Sequence, residues 1–191
     1  MTKLSLLLTT VTSSILLAGC GSDNKDSSPI EGTWQDKQSC ERTGNTSEKI
    51  LLEFNSGNVA ITNTSYTDSN CTVLDEIVRV SGNYFIHNEI TLSNGEKAQQ
   101  IEIRLSKKEV TPPSESEATN ANAVKLCGYT DWKKHELKDV TTCAAFDFLP
   151  QQSKDIFKVE GNSLFLGDDD QEKGADGYPL VLEQNSTLVR K

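Results

Sequence analysis

The side chains with most chemistry in this 191-residue chain are five cysteines, two histidines and 28 carboxylates. Neither histidine stands in a metal-binding spacing such as His-Glu-x-x-His. His87 sits between Ile86 and Asn88, and His135 among Lys133, Lys134 and Glu136, so both read as solvated surface residues. No Gly-x-Ser-x-Gly elbow and no close Cys-x-x-Cys pair occurs, and no two carboxylates are singled out as a hydrolytic pair. The expectation is a protein with no catalytic residues and no cofactor, hence not an enzyme. The densest acidic run, Asp168-Asp169-Asp170-Gln171-Glu172, offers the oxygen ligands calcium takes. With Asp168 as first ligand, however, Lys173 stands where an EF-hand loop needs glycine. The run reads as a solvated acidic loop with at most a weak calcium site at Asp168 and Asp170, and no other metal is expected.

The cysteines divide into one and four. Cys20 closes an apolar stretch, Leu4 to Leu17, that follows the positive start Met1-Thr2-Lys3. That is the charge and length of a secretory signal, too short and too polar to span a membrane. Its end, Leu17-Ala18-Gly19-Cys20, resembles the bacterial lipobox. The resemblance implies that residues 1–19 are a lipoprotein signal peptide and that Cys20 is acylated and begins the mature chain. Because each buried methylene contributes about 0.8 kcal/mol, more than one acyl chain is needed for lasting attachment, and bacterial lipoproteins commonly carry three. Gly21 lacks the aspartate that retains such proteins at the inner membrane, which implies the outer membrane of a Gram-negative cell. Residues 20–30, rich in Ser, Asp and Asn, form a flexible tether to a single β-rich domain at 31–191.

Removal of residues 1–19 takes away one charged residue, Lys3, and leaves 28 acidic against 18 basic side chains. Phosphate binding needs a basic stripe, so nucleic acid is excluded as a partner. Membrane contact must come from the acyl chains. The remaining cysteines, Cys40, Cys71, Cys127 and Cys143, are an even set in an exported chain and read as disulfides. Three pairings are possible. Cys40 with Cys71 and Cys127 with Cys143 is favoured, because each pair brackets a local segment of one or two hairpins.

These residues must be held by strands. Ile50 to Phe54, the turn Asn55-Ser56-Gly57-Asn58 and Val59 to Thr62 predict a hairpin, and Ile156 to Val159, Glu160-Gly161-Asn162 and Ser163 to Leu166 predict another. Further strands are expected at Leu74 to Val80, Tyr84 to Ile86, Glu89 to Leu92, Gln100 to Leu105, Lys125 to Trp132, Phe146 to Leu149, Leu180 to Leu182 and Thr187 to Val189. Ser81-Gly82-Asn83 and Ser93-Asn94-Gly95 read as turns. Ile101, Ile103 and Leu105 alternate with Glu102 and Arg104, which places one face on a core. Pro112-Pro113 breaks the rhythm and opens a 111–123 loop insertion able to hold one short helix. The fold class expected is all-β and mainly antiparallel, a single barrel or compact sandwich of about 8–9 strands.

Gly32-Thr33-Trp34 opens the domain and resembles the G-x-W that begins the first strand of lipocalins, where the tryptophan plugs one barrel end. Thr130-Asp131-Trp132 is similar to that family's Thr-Asp-aromatic motif, and Arg190 stands where the family carries a basic residue over the tryptophan. The resemblance implies a lipocalin-like barrel able to hold a small hydrophobic ligand. Small barrels are readily filled by their own side chains and aromatics are scarce here, which leads instead to an interaction or structural module docking on an envelope protein. A ligand carrier requires an apolar interior cavity; a docking module requires a filled core and an exposed apolar patch.

Overall fold

The computed structural model describes residues 28–37, 40–43, 46–147, 151–171 and 173–191. The expected signal peptide, Cys20 and most of the tether lie outside them. Among the described residues the first element is β1 (Gly32–Asp36), followed by a short β2 (Glu41–Thr43) and the hairpin of β3 (Thr46–Asn55) and β4 (Asn58–Tyr66). Two long strands follow, β5 (Leu74–Thr91) and β6 (Lys97–Val110), and after an insertion come β8 (Gln152–Glu160), β9 (Ser163–Gly167) and β10 (Leu182–Arg190). All pairings are antiparallel, and the order β1-β10-β9-β8-β6-β5-β4-β3 closes because β1 pairs β3 as well. The result is an eight-stranded barrel rather than a sandwich. Closure removes the unpaired strand edges that an open sheet would present. Two extra strands lie outside the ring: β2 pairs β3, and β7 (Lys138–Asp139) pairs β6.

The expected hairpins form where turn chemistry asks for them. Ser56 and Gly57 both take positive φ in the two-residue connection of β3 to β4, the backbone that fits the right-handed strand twist. Ser81-Gly82-Asn83, expected as a turn, is instead an irregularity inside the continuous β5, where the β5–β6 register shifts between Ser81 and Gly82. A Cβ at Gly82 would collide with the Arg104 carbonyl oxygen, so glycine here serves close backbone approach in a bulge rather than chain reversal. The segments expected at Tyr84 to Ile86 and Glu89 to Leu92 are accordingly parts of β5.

The insertion is larger than 111–123. Residues 111–147 form a separate small layer containing α1 (Glu115–Ala123), two 3-10 turns and β7. Ser114 caps α1, its hydroxyl accepting from the Glu117 amide at 3.1 Å, and the Ala118 face packs on Trp132, Val110 and Val140. Lys125 to Trp132 is not a strand: Lys125 and Cys127 take positive φ around the turn at Leu126–Gly128. The Cys127–Cys143 disulfide and the packing of Trp132 override its strand-like pattern. Of the strand expected at Phe146 to Leu149, Phe146 ends the second 3-10 turn, and residues 148–150 lie outside the described residues.

Within the ring, alternate residues face inward. Trp34, Leu52, Phe54, Val59, Tyr84, Ile101, Ile103, Phe157, Leu164 and Leu188 form the main core. A second cluster, Ile156, Leu92, Ala98 and Leu182, lies under Tyr178 of the long β9–β10 loop.

Candidate functional site

One end of the barrel is plugged. Trp34 is fully buried, and its indole Nε1 donates to the Ile30 carbonyl at 2.7 Å. The Arg190 guanidinium lies 4.3 Å from the ring centroid and donates to the carbonyls of Glu31 at 2.7 Å and Pro29 at 3.1 Å. Gly32 has φ +125, and a Cβ there would stand 2.5 Å from Arg190 Nη1, so both backbone and space require glycine. The Glu31 carboxylate accepts from the Ser56 amide and from the Tyr84 hydroxyl, at 2.9 and 2.5 Å. Burial and the neighbouring Glu31 push that hydroxyl up to about 12, so it remains a donor at neutral pH. Gly32, Trp34 and Arg190 therefore come together. Asp131 does not join them; it pairs with Lys138 at 2.8 Å inside the insertion, beyond the other end of β6.

Above the plug the barrel is hollow. A cavity of about 270 Å³ is walled by Ile30, Leu52, Phe54, Ile61, Val80, Ile101, Ile103, Leu105 and Leu166, with Ser153 and Asp155 as its polar members. An eight-stranded ring has an interior just wide enough to be filled by side chains or to hold one small ligand. Here the apolar walls leave the space open. A cavity of roughly 150 Å³ takes benzene, so this one has room for on the order of ten carbons.

Asp155 comes from β8, on the face it shares with Phe157 and Val159. The β8–β9 ladder ends just beside it, and the Ile156 and Gly167 amides, freed there, donate to its Oδ1 at 2.7 and 2.9 Å. Burial pushes this carboxyl up to about 6 against the lowering effect of both amides. Asp169 adds to the rise, and Lys173 opposes it. Composition alone does not single out Asp155. The readable signal was parity: in Ser153-Lys154-Asp155-Ile156-Phe157, the aspartate occupies the inward position of an alternating strand.

The mouth end carries the polar and cross-linked parts. The two disulfides are Cys40–Cys71 and Cys127–Cys143, with Cα separations of 5.8 and 5.1 Å. Lys108 stands opposite Val80, in the inward register, and its Nζ donates to the Phe146 carbonyl at 3.3 Å, tying the insertion to the barrel. Val78 and Val110, one step further out on the same face, pack into the insertion's core. The insertion therefore covers the β5–β6 side of the mouth.

The remaining expected sites are dispersed. In the acidic loop, Asp168 Oδ1 accepts from the Asp170 amide and Lys173 pairs with Asp169 at 2.8 Å. No group of three potential ligands gathers among the described residues. His87 is at the surface, 3.4 Å from Glu102. His135, expected in solvent, is partly buried, with its Nε2 shielded and without a hydrogen-bond partner.

Fold and site together define a small closed antiparallel β-barrel with an apolar chamber, plugged at one end and elaborated at the other. The sequence matches no protein-family model and no curated protein.

Proposed function

We propose that this chain is an envelope lipoprotein, anchored through Cys20 to the outer membrane, whose barrel binds a small and largely apolar ligand. The observation that carries the reading is the open chamber above Trp34: nine apolar residues surround a space of about 270 Å³. A filled barrel would gain packing energy at every one of those positions, so an empty apolar space of this size is what a binding site requires. The Trp34–Arg190 plug agrees with the lipocalin resemblance of Gly32-Thr33-Trp34. The docking reading has less behind it. Among the described residues, the large exposed apolar side chains, Val73, Phe85, Val124, Leu137, Leu180 and Val181, are spread over five separate segments.

The test is native mass spectrometry of protein purified from an oxidising compartment, with copurifying molecules extracted. It is run beside Ile61→Phe and Val80→Phe, which fill the chamber. The expected result is a stoichiometric small hydrophobe on the wild type that is lost from both folded variants. A wild type that carries and takes up no apolar compound, or variants that bind as well as it does, would overturn the proposal.

A further inference from the structure

The chamber has a chemical polarity of its own, and it rests on the reading just given. Its walls are apolar except at Ser153 and Asp155, which lie two residues apart on β8. Asp155 Oδ1 is taken up by two backbone amides, and among the described residues the hydrogen bonds to this carboxylate fall on that oxygen. A carboxylate buried beside an apolar space keeps its charge well only when a cation or donor meets it. We infer that the ligand carries a protonated amine at one end of an apolar body of about ten carbons, and that Asp155 receives that amine with the Ser153 hydroxyl beside it.

The other charged groups facing the lumen do not take this role. Asp36, from β1, accepts from the Ile50 amide at 2.6 Å, and Glu48, from β3, accepts from Asn63 at 2.9 Å. Neither lines the chamber. Lys108, the basic residue of the inward register on β6, is bonded to the Phe146 carbonyl and also stands outside the chamber wall. An anionic head group would therefore meet Asp155 without a compensating cation on the wall. Asp169 and Lys173 approach Asp155 from the β9–β10 loop with opposite charges and pair with each other.

Three probes of one chain length separate the possibilities: octylamine, 1-octanol and octanoate, each titrated calorimetrically into the full chain at pH 7.5. A hydrogen bond to a charged group corresponds to roughly ten- to hundred-fold in affinity, so octylamine should bind tighter than octanol by that factor and octanoate weakest. With the carboxyl titrating at about 6, octylamine binding should weaken about tenfold between pH 7.5 and pH 5, while octanol binding stays level. Asp155→Asn retains an oxygen for the two amides and presents an NH2 to the chamber, and it should bring octylamine down to the level of octanol. If that variant does not fold, the wild-type pH dependence decides alone. Equal binding of all three probes, or a preference for octanoate, overturns the amine assignment and leaves the chamber reading standing. Failure of all three to bind overturns both.

Discussion

At the plugged end of the barrel, a single buried indole, one guanidinium and three main-chain carbonyls do the work of closure, and the strands are joined by short turns. At the mouth, two disulfides, a 37-residue insertion (111–147) and a set of inward polar side chains occupy the equivalent space. The plug belongs to the main apolar cluster and shares its cooperativity. The insertion has its own small cluster around Trp132 and Val140, too small to hold its shape by apolar burial alone and therefore stapled by Cys127–Cys143. Between them, the chamber is bounded below by a rigid floor and above by a separately built cover. The ligand binding proposed for this chamber needs that division, since the floor must stay shut while the mouth admits a ligand.

The barrel is most sensitive to substitution at the plug. Trp34→Ala removes the largest fully buried side chain and its bond to Ile30, which should cost about 3–5 kcal/mol and lower the unfolding midpoint by about 10–15 °C. Melting of the whole barrel in one transition is the expected observation by circular dichroism. At the mouth, replacing Cys127 and Cys143 by alanine removes a cross-link of 16-residue separation, with an expected loss of about 3 kcal/mol. Here hydrogen exchange should show lost protection across 111–147 while β3, β4 and β8 keep theirs. Loss of protection across the entire barrel would mean that the two ends are not independent.

The smallest effect concerns Asp155, between the two ends. Its pKa is raised in the folded state to about 6, so the folded protein holds this proton more tightly than the unfolded chain. Stability from this group is therefore fully present below about pH 4 and is lost as pH rises through about 6, by on the order of 2–3 kcal/mol. Asp36 and Glu76 are raised by burial as well and act in the same direction. The contribution of Asp155 is isolated as the difference between wild type and Asp155→Asn. Denaturant unfolding at pH 4, 5, 6 and 7.5 should show a shallower slope in the variant.

The plug was legible because its information is local and chemically specific. Gly32 and Trp34 are two residues apart, and Arg190 stood out as a base near the end of the chain. The turns at Asn55–Asn58, Ser93–Gly95 and Glu160–Asn162 are legible for the same reason: each carries a residue suited to positive φ between apolar runs. The local disulfide pairing also followed from spacing. Barrel closure was not legible, because β1 meets β10 across more than 150 residues and no short pattern encodes that register. Gly82 is ambiguous in sequence, since glycine marks both turns and bulges, and only the approach of the Arg104 carbonyl distinguishes them. Lys125 to Trp132 has strand-like composition, yet a disulfide and left-handed backbone at Lys125 and Cys127 govern it. Asp131 shared a short motif with one family but belongs to the insertion, where Lys138 holds it.

The most direct measurement of the chamber is methyl-resolved NMR of the full chain titrated with 1-octanol. With a ligand in the chamber, the methyl groups of Leu52, Ile61, Ile101, Ile103, Leu105 and Leu166 should shift together along one saturable curve, while those of exposed Leu137 and Leu180 stay in place. Shifts confined to the exposed methyls, or no saturable shift at all, would contradict it.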